Sequence, residues 1–391
     1  MNRSSIQFKV LAILVVCLAL GVVCVIGLMH YFTVQNSQAL AVDSIISSQK
    51  IFTILETREI SKMTAVSDAL IMNPEIRDAL AAKDRTRLLS LTAPLFPQLK
   101  SEGITNWMFH TPEPDMAVFL RLHSPAKFGD HLNRSLDKEV AQTHAIVTGN
   151  ELARAGFAER VLRPISDAQG KVIGYVEFGE ELGQFIQTMK NQTGNDYELL
   201  LNKKFVDRQF WADSSTNLKR RDDWDDNSNF VVAARTTSND KILRFTGDLA
   251  AVPEQGMVLE QFHDGDSIFV RGIFPIRDAA GNTAGAMFIV RNISDVYATM
   301  RRTQNILLVA TVVSLSLGIL LLLTMLHRII FKRLQHIIKV ATRVVGGDFE
   351  SKIKVSSDDE VGKLEELFEQ FRQIFVGILD QVTEMQELQE K

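Results

Sequence analysis

Two long apolar stretches divide the chain. Residues 10–32 and 306–326 contain no Asp, Glu, Lys or Arg. A helix of about 20 apolar residues crosses the ~30 Å hydrocarbon core of a bilayer. The few Ser and Thr residues of the second stretch can hydrogen-bond to carbonyl groups of their own helix. The pattern therefore predicts two transmembrane helices, over residues 10–32 and 304–326.

The first stretch could instead be a signal peptide, because Ala39-Leu40-Ala41 resembles a cleavage site. The apolar part of a signal peptide is only about 7–15 residues long. The length of this stretch therefore favours an uncleaved membrane anchor.

Basic residues lie unevenly around the two predicted spans. Arg3 and Lys9 precede the first span and a basic segment at 327–339 follows the second, whereas Arg301 and Arg302 lie on the other side of the membrane. Cytoplasmic flanks of membrane spans are enriched in Lys and Arg. We therefore expect a multi-pass membrane protein with cytoplasmic termini and residues 33–303 in the periplasm or outside the cell.

Apolar residues recur in steps of three and four on both sides of residues 346–360. They are Ile330, Leu334, Ile337, Ala341 and Val344, and then Val361, Leu364, Phe368, Phe371, Phe375, Ile378, Val382 and Met385. A sustained repeat of 3.5 residues is typical of a coiled-coil seam. The segment between the two sets is predicted to be an extended connector that ends in acidic helix-capping residues.

The order of these features resembles a HAMP signalling domain over about residues 327–380. The resemblance depends on a helix directly after a span, a Gly346-Gly347-Asp348 connector and a second helix that opens with the sequence DEVG at 359–362. It implies a parallel four-helix bundle of two chains that relays motion to an output in trans or outside this chain. An ordinary amphipathic hairpin is the alternative. The proline common in the first HAMP helix is replaced by Lys332 and Arg333, so the span is expected to continue unbroken into the bundle.

An internal repeat marks the block between the spans. Residues 164–174 read PISDAQGKVIG and residues 275–285 read PIRDAAGNTAG, and a strand-like run follows each. The shared Asp-Ala-x-Gly predicts a hairpin turn in both copies. Residues 37–71 have helical spacing, Asn73-Pro74 starts another helix, and strands are predicted at 107–110 and 118–123. Two similar sheet-containing modules are therefore expected.

This layout resembles a double Cache sensor over about residues 40–295. The resemblance is carried by FLRLHSPAKFGD at 119–130 and GYVEFG at 174–179, and it is weaker over 202–266. It implies an α+β fold with two tandem PAS-like Cache modules on a long N-terminal helix, two transmembrane helices and a cytoplasmic HAMP parallel coiled coil. It also implies a ligand pocket in the membrane-distal module. The predicted boundaries are 1–9 cytoplasmic, 10–32 span, 33–201 distal module, 202–303 proximal module, 304–326 span, 327–380 HAMP and 381–391 coiled-coil extension.

Composition and motifs exclude several classes of function. With 46% hydrophobic and 23% charged residues the chain is expected to fold, and its net charge of −4 gives no basic surface for nucleic acid. Cys17 and Cys24 both lie in the first apolar stretch, so thiolate metal sites are not expected elsewhere. No catalytic or phosphate-binding motif is present, so we expect neither an enzyme nor a cofactor. A metal shared by His123 and His131 is disfavoured.

Candidate ligand-binding residues cluster in the first module. They are Trp107, Phe119, Arg121, His123, Lys127 and Glu177. Alternate residues of a strand share a face, so Phe119, Arg121 and His123 are predicted to point the same way. A guanidinium in an aromatic pocket suits a carboxylate. The alternative is that Arg121 pairs with an internal acid, Glu177 or Asp130, that the histidines lie on the surface, and that Trp107, Phe109 and Phe119 are core residues.

Two functions are compatible with this sequence. The first is a homodimeric transmembrane receptor that is embedded in the lipid of a bacterial inner membrane. It senses a small carboxylate-like molecule outside the cytoplasm and signals to a cytoplasmic partner. The second is a membrane-anchored dimeric structural or assembly protein that uses the Cache block for protein contact. The sequence leaves open whether the output belongs to chemotaxis, to a two-component system or to another class.

Overall fold

The computed structural model describes residues 6–153, 156–217 and 221–389. Arg3 and the last two residues of the predicted coiled-coil extension lie outside this range. The chain forms two compact units, one of Thr33–Thr299 and one that combines the N-terminal residues up to Phe32 with the residues from Met300 onward. Two helical runs, Phe8–Ile71 and Ser294–Val345, are long and apolar enough to cross a membrane.

A single helix, α1 (Ile6–Ile71), contains both the first predicted span and the predicted stalk helix. It contains no proline, and it ends before Asn73, whose side chain caps α2 (Pro74–Ala81) by accepting a 2.9 Å hydrogen bond from Glu75 N. From residue 41 onward one face of α1 is buried at steps of three and four. The buried residues include Ala41, Ile45, Ser48, Phe52, Leu55, Glu59, Met63 and Leu70. This buried face of α1 is mostly apolar, but it includes the charged residue Glu59.

Sheet 1 has the strand order β2-β1-β5-β4-β3, with antiparallel neighbours. Its strands are β1 (Asn106–His110), β2 (Val118–Arg121), β3 (Val147–Ala153), β4 (Gly156–Ser166) and β5 (Val172–Glu181). One face packs against α1, α2, α3 (Arg85–Thr92) and α4 (Phe96–Ser101) in an apolar core. The other face packs against α5 (Ser135–Thr143). We call these the helix-core face and the α5 face.

Sheet 2 has the strand order β7-β6-β11-β10-β8, and β9 pairs with β10. Its strands are β6 (Asp196–Asn202), β7 (Phe230–Arg235), β8 (Met257–Val258), β9 (Phe262–Asp264), β10 (Ser267–Arg277) and β11 (Thr283–Asn292). Helix α6 (Phe185–Thr193) precedes the sheet and α7 (Arg208–Asn217) follows β6. Because β6 pairs with β11, the predicted module boundary at residue 202 is wrong, and sheet 2 already begins at Asp196.

The internal repeat forms equivalent hairpins in the two sheets. Asp167 N donates to Lys171 O at 2.9 Å, and Asp278 N donates to Asn282 O at 3.0 Å. Gly170 and Gly281 occupy the same left-handed conformation, with φ of 81° and 82°. A side chain is strained in this conformation, so the glycine of each Asp-Ala-x-Gly turn is required by the backbone. The predicted hairpin turns are confirmed.

The helix after sheet 2 continues from the second span into the HAMP region. Helix α8 (Ser294–Leu326) passes through a π-helical turn into α9 (Lys332–Val345), so the expected unbroken helix is confirmed. Helix α10 (Glu360–Gln389) follows the connector. Asp359 accepts a 2.7 Å hydrogen bond from Gly362 N and caps α10, as predicted. Arg333, one of the two basic residues found in place of the proline, pairs with Asp359 at 2.7 Å and with Glu365 at 3.0 Å.

Candidate functional site: a buried charge cluster on sheet 1

Charged residues gather on the α5 face of sheet 1. Arg121 of β2 and Glu177 of β5 both lie directly across from Met108 of β1, one on each side. Side chains at directly opposed positions of antiparallel strands share a face. The sheet therefore places these two predicted site residues on the same face, on either side of β1.

Glu177 is the centre of this cluster. It is fully buried, and its carboxylate accepts hydrogen bonds from Arg134 Nη1 at 2.8 Å and Nη2 at 2.6 Å. Arg160 Nη1 also donates to it, and His110 Nε2 lies 2.9 Å away. Burial opposes the ionisation of Glu177, but the charges of Arg134 and Arg160 outweigh burial and hold its pKa well below the ordinary value. Glu177 is therefore an anion between two guanidinium groups.

Two further acids complete the cluster. Arg134 immediately precedes α5 and binds Asp137 in the first turn of that helix through Nε and Nη2 at 2.9 and 2.8 Å. Glu151 of β3 lies 3.4 Å from Arg134 Nε and accepts a hydrogen bond from Leu136 N. Burial raises the pKa of Glu151 despite the nearby charge of Arg134. Through Glu151, Arg160, Glu177 and His110 the network ties the start of α5 to four strands of sheet 1, β3, β4, β5 and β1.

Arg121 has an internal partner at the edge of the sheet. Its Nη1 and Nη2 bind Asp130 at 2.7 and 2.8 Å, and its side chain is 12% exposed. Lys127 contributes its carbonyl oxygen, at 3.0 Å from Arg121 Nη1. His123 and Lys127 are themselves exposed. The internal pairing with Asp130, one of the two alternatives from the sequence, is the one the structure contains.

Trp107 and Phe119 do not share the face of Arg121. Trp107 is fully buried in the helix core, with its ring centroid 5.3 Å from that of Phe178. The register of β1 and β2 shifts between Phe109 and His110 and leaves Phe119 without a directly opposed residue. This irregularity interrupts the strand alternation, and Phe119 packs against the helix core. The prediction that Phe119 and Arg121 point the same way is wrong.

One group of atoms in this cluster is spaced like a metal site. Ligand atoms of His110, Asp137 and Glu177 lie within 4.8 Å of one another. However, Arg134 donates to both carboxylates, and Arg160 also donates to Glu177. The positive charge that these carboxylates need is thus supplied by the chain itself, so the arrangement is an ion-pair network that fits a metal poorly.

His110, Arg134 and Arg160 were not predicted as site residues. One of the two alternatives from the sequence placed the histidines on the surface, but His110 is fully buried. The local sequence does not single out Arg160, because the same strand also contains the charged residues Glu159 and Arg163. Arg134 lies in the loop before α5, far in sequence from its partner Glu177. Periodicity contains no information about such a long-range pairing.

Comparisons with known proteins identify two regions. A family described as the double sensory domain of two-component sensor kinases, dCache_3, matches residues 48–229, and the HAMP domain family matches residues 325–374. The first match includes all of sheet 1 but only β6 of sheet 2. No curated protein matches the chain.

Solved structures similar to this chain include two bacterial sensor domains. The periplasmic domain of Vibrio cholerae LuxQ is 11% identical with a TM-score of 0.39, and the alignment covers 63% of this chain and 99% of that one. The ligand-binding domain of the Campylobacter jejuni chemoreceptor Tlp3, in complex with 4-methylisoleucine, is 12% identical with a TM-score of 0.39, and the alignment covers 67% and 93%.

The family matches agree with the architecture described above. The dCache_3 match begins on α1 and contains sheet 1, and the HAMP match runs from the end of α8 into α10. Both families are signalling modules, and two candidate spans are consistent with an inner-membrane receptor. The chain therefore combines a double Cache sensory domain with a HAMP domain, the architecture of a transmembrane sensory receptor.

Proposed function

We propose that this protein is a homodimeric receptor of the bacterial inner membrane that binds a small carboxylate at sheet 1 and signals through HAMP to a cytoplasmic partner. The sensory domain lies in the periplasm and both termini lie in the cytoplasm. Ligand binding shifts the receptor between two states, which requires a different affinity for each state. The observation that carries the ligand class is the Arg121–Asp130 pair.

Arg121 is the guanidinium of the α5 face whose partner is most easily exchanged. Its carboxylate partner, Asp130, lies in the loop after β2 and has a side chain that is 38% exposed. By contrast, Arg134 and Arg160 bind Glu177, whose side chain is 0% exposed. A ligand carboxylate can replace Asp130 on Arg121 with the same bidentate geometry. Exposed Lys127 contributes a further positive charge beside it. His123, whose pKa is lowered to about 4 by desolvation and by the charge of Arg121, contributes a neutral hydrogen-bonding group.

Arg121→Ala is expected to weaken carboxylate binding about a hundredfold. Each ~1.4 kcal/mol of binding free energy is a factor of ten in the dissociation constant, and the loss of a buried charge pair costs about twice that amount. Arg121→Lys should recover only part of the affinity, since an ammonium group cannot form the paired planar contact. A thermal-shift screen of organic acids and amines identifies the ligand, and titration calorimetry gives the affinities.

Arg163→Ala is the matched control for this prediction. Arg163 also pairs with an exposed aspartate, Asp68, but from the opposite face of sheet 1. Arg163→Ala should therefore leave the affinity for the carboxylate ligand unchanged. Unchanged affinity in a folded Arg121→Ala protein would show that Arg121 is structural. A screen without any saturable shift would instead favour the membrane-anchored assembly protein.

The homodimer is supported by the apolar surface of α10. Val361 and Phe368 pack against the α9 core within one chain. In contrast, Phe371 is 59% exposed and Ile378 is 53% exposed. These residues continue the 3.5-residue seam, and a second copy of the chain would cover them.

Phe371→Cys is expected to crosslink to itself in membranes under mild oxidation, in a background with Cys17→Ala and Cys24→Ala. Gln373→Cys is the control, because residue 373 lies on nearly the opposite side of the helix from residue 371. Equal crosslinking of the two variants, or a monomer by light scattering in detergent, would contradict the parallel dimer.

A further inference from the structure

A row of polar side chains crosses the helix-core face of sheet 1. Asn150 of β3 lies directly opposite Glu159 of β4, and Glu159 lies directly opposite Glu180 of β5. Glu159 is 1% exposed and Glu180 is 6% exposed. Like charges at directly opposed positions destabilise a sheet. Two buried carboxyl groups in this register therefore favour a state in which at least one is protonated.

Helix α1 adds two more carboxyl groups to this row. Asn150 Nδ2 donates a hydrogen bond to Glu56, and Glu59 and Glu180 share Lys62 as their ion-pair partner. We call Glu56, Glu59, Glu159 and Glu180 the carboxyl cluster.

The cations near the cluster bind only part of it. Lys62 Nζ lies 2.9 Å from Glu180 and also pairs with Glu59. Arg58, which is 60% exposed, binds Glu59 at 2.7 Å. Glu159 Oε1 is buried and has no hydrogen-bond partner among the described residues. An ionised Glu159 would thus be an uncompensated buried charge.

A cavity of about 430 Å³ lies beside the cluster. Its lining includes Glu59, Lys62 and Glu180, together with Glu102 on the segment after α4. Lys62 Nζ also donates to the carbonyl oxygen of Glu102 at 2.5 Å. The cavity offers water, and therefore protons, a route to the carboxyl groups of Glu59 and Glu180.

We propose that the carboxyl cluster is a proton-binding site that couples external pH to the packing of α1 on sheet 1. Its members belong to α1, β4 and β5, so their protonation decides whether the helix and the sheet attract or repel each other at this point. Asn150 extends the coupling, because its carbonyl oxygen accepts a 2.8 Å hydrogen bond from Ala279 N in the repeat turn of sheet 2. The inference is independent of any ligand at Arg121.

The direction of the pH effect follows from the surroundings of the cluster. Burial, together with the charges of Glu56 and Glu180, raises the pKa of Glu159 to about 8. Burial also raises the pKa of Glu180, to about 7, although Lys62 acts against it. An acid whose pKa is higher in the folded state stabilises the fold below its unfolded pKa, and this contribution is lost as pH rises through the folded value. Packing of α1 should therefore loosen between about pH 6 and about pH 8.5.

The test uses the full-length protein in lipid nanodiscs, without ligand. Between about pH 6 and about pH 8.5 the Tm should fall by about 3 °C or more. Amide hydrogen exchange of residues 52–66, corrected for the intrinsic effect of pH, should show a matching loss of protection. Infrared difference spectroscopy should show a protonated carboxyl band that disappears over the same range. Glu159→Gln, an uncharged isostere that keeps the fold, should reduce all three changes.

Glu198→Gln is the matched control. Glu198 lies on β6 of sheet 2, is 4% exposed, and has a pKa raised to about 8 by burial, near Arg235, Asp223 and Asp240. Its replacement should change the pH dependence of the Tm but leave the exchange of residues 52–66 as in the unaltered protein. Protection of these residues that does not vary with pH, or that varies equally in Glu159→Gln, would overturn the proposal.

Discussion

Glu177→Ala is expected to lower the free energy of unfolding of the Thr33–Thr299 unit by about 3–5 kcal/mol, because removing one partner of a buried ion pair leaves the opposite charge uncompensated. Here the loss would leave two guanidinium groups, those of Arg134 and Arg160, without the carboxylate that both bind. His110 would lose the same partner. Denaturant unfolding of the purified protein in detergent measures the change.

Glu139→Ala is the control for this result, because Glu139 lies on α5, the helix that the Glu177 network contacts, but is exposed. Its effect on the free energy of unfolding should stay within about 0.5 kcal/mol.

The pH dependence of stability gives a second check on Glu177. The pKa of Glu177 is lower in the fold than its ordinary 4.5, so its contribution is present above about pH 4.5 and is lost as pH falls below it. A small effect of Glu177→Ala at neutral pH would contradict the central role of this residue.

Trp107→Ala is also expected to cost about 3–5 kcal/mol of stability, since it empties a large volume in the core between sheet 1 and the helices. The ring of Trp107 lies near Phe109, Phe178 and Phe96, at centroid distances of 5.9, 5.3 and 6.4 Å. Its buried Nε1 has no hydrogen-bond partner among the described residues. Trp107→Phe should therefore be much less destabilising, because no hydrogen bond is broken.

Phe128→Ala is the comparison for Trp107. Phe128 is 57% exposed and contacts Arg85, whose guanidinium carbon lies 4.0 Å from the ring centroid. An exposed contact of this type contributes about 0.5–1 kcal/mol to stability. The thermal unfolding curves of Trp107→Ala and Phe128→Ala should therefore differ clearly. If Trp107→Ala left stability unchanged and weakened ligand binding, Trp107 would be a ligand contact, as the sequence first allowed.

The sequence determined those features of this protein that depend on neighbouring residues. The two apolar stretches predicted the candidate spans, and the 3.5-residue repeat with its Gly-Asp connector predicted the HAMP region. The Asp-Ala-x-Gly turns predicted both hairpins. Each of these signals is local, because a helical period, a turn or a cap is complete within a few residues.

The tertiary structure decided which distant residues meet. Nothing in the local sequence indicates that Arg134 binds Glu177, that β6 joins sheet 2, or that Glu56 of α1 lies near Glu159 of β4. A register shift in β1 and β2 was sufficient to place Phe119 on the other side from Arg121. Pairing across a sheet depends on long-range register, and a shift of one residue moves a side chain to the opposite face. The spans and hairpins therefore follow from the sequence alone, while the partners of each buried charge follow only from the fold.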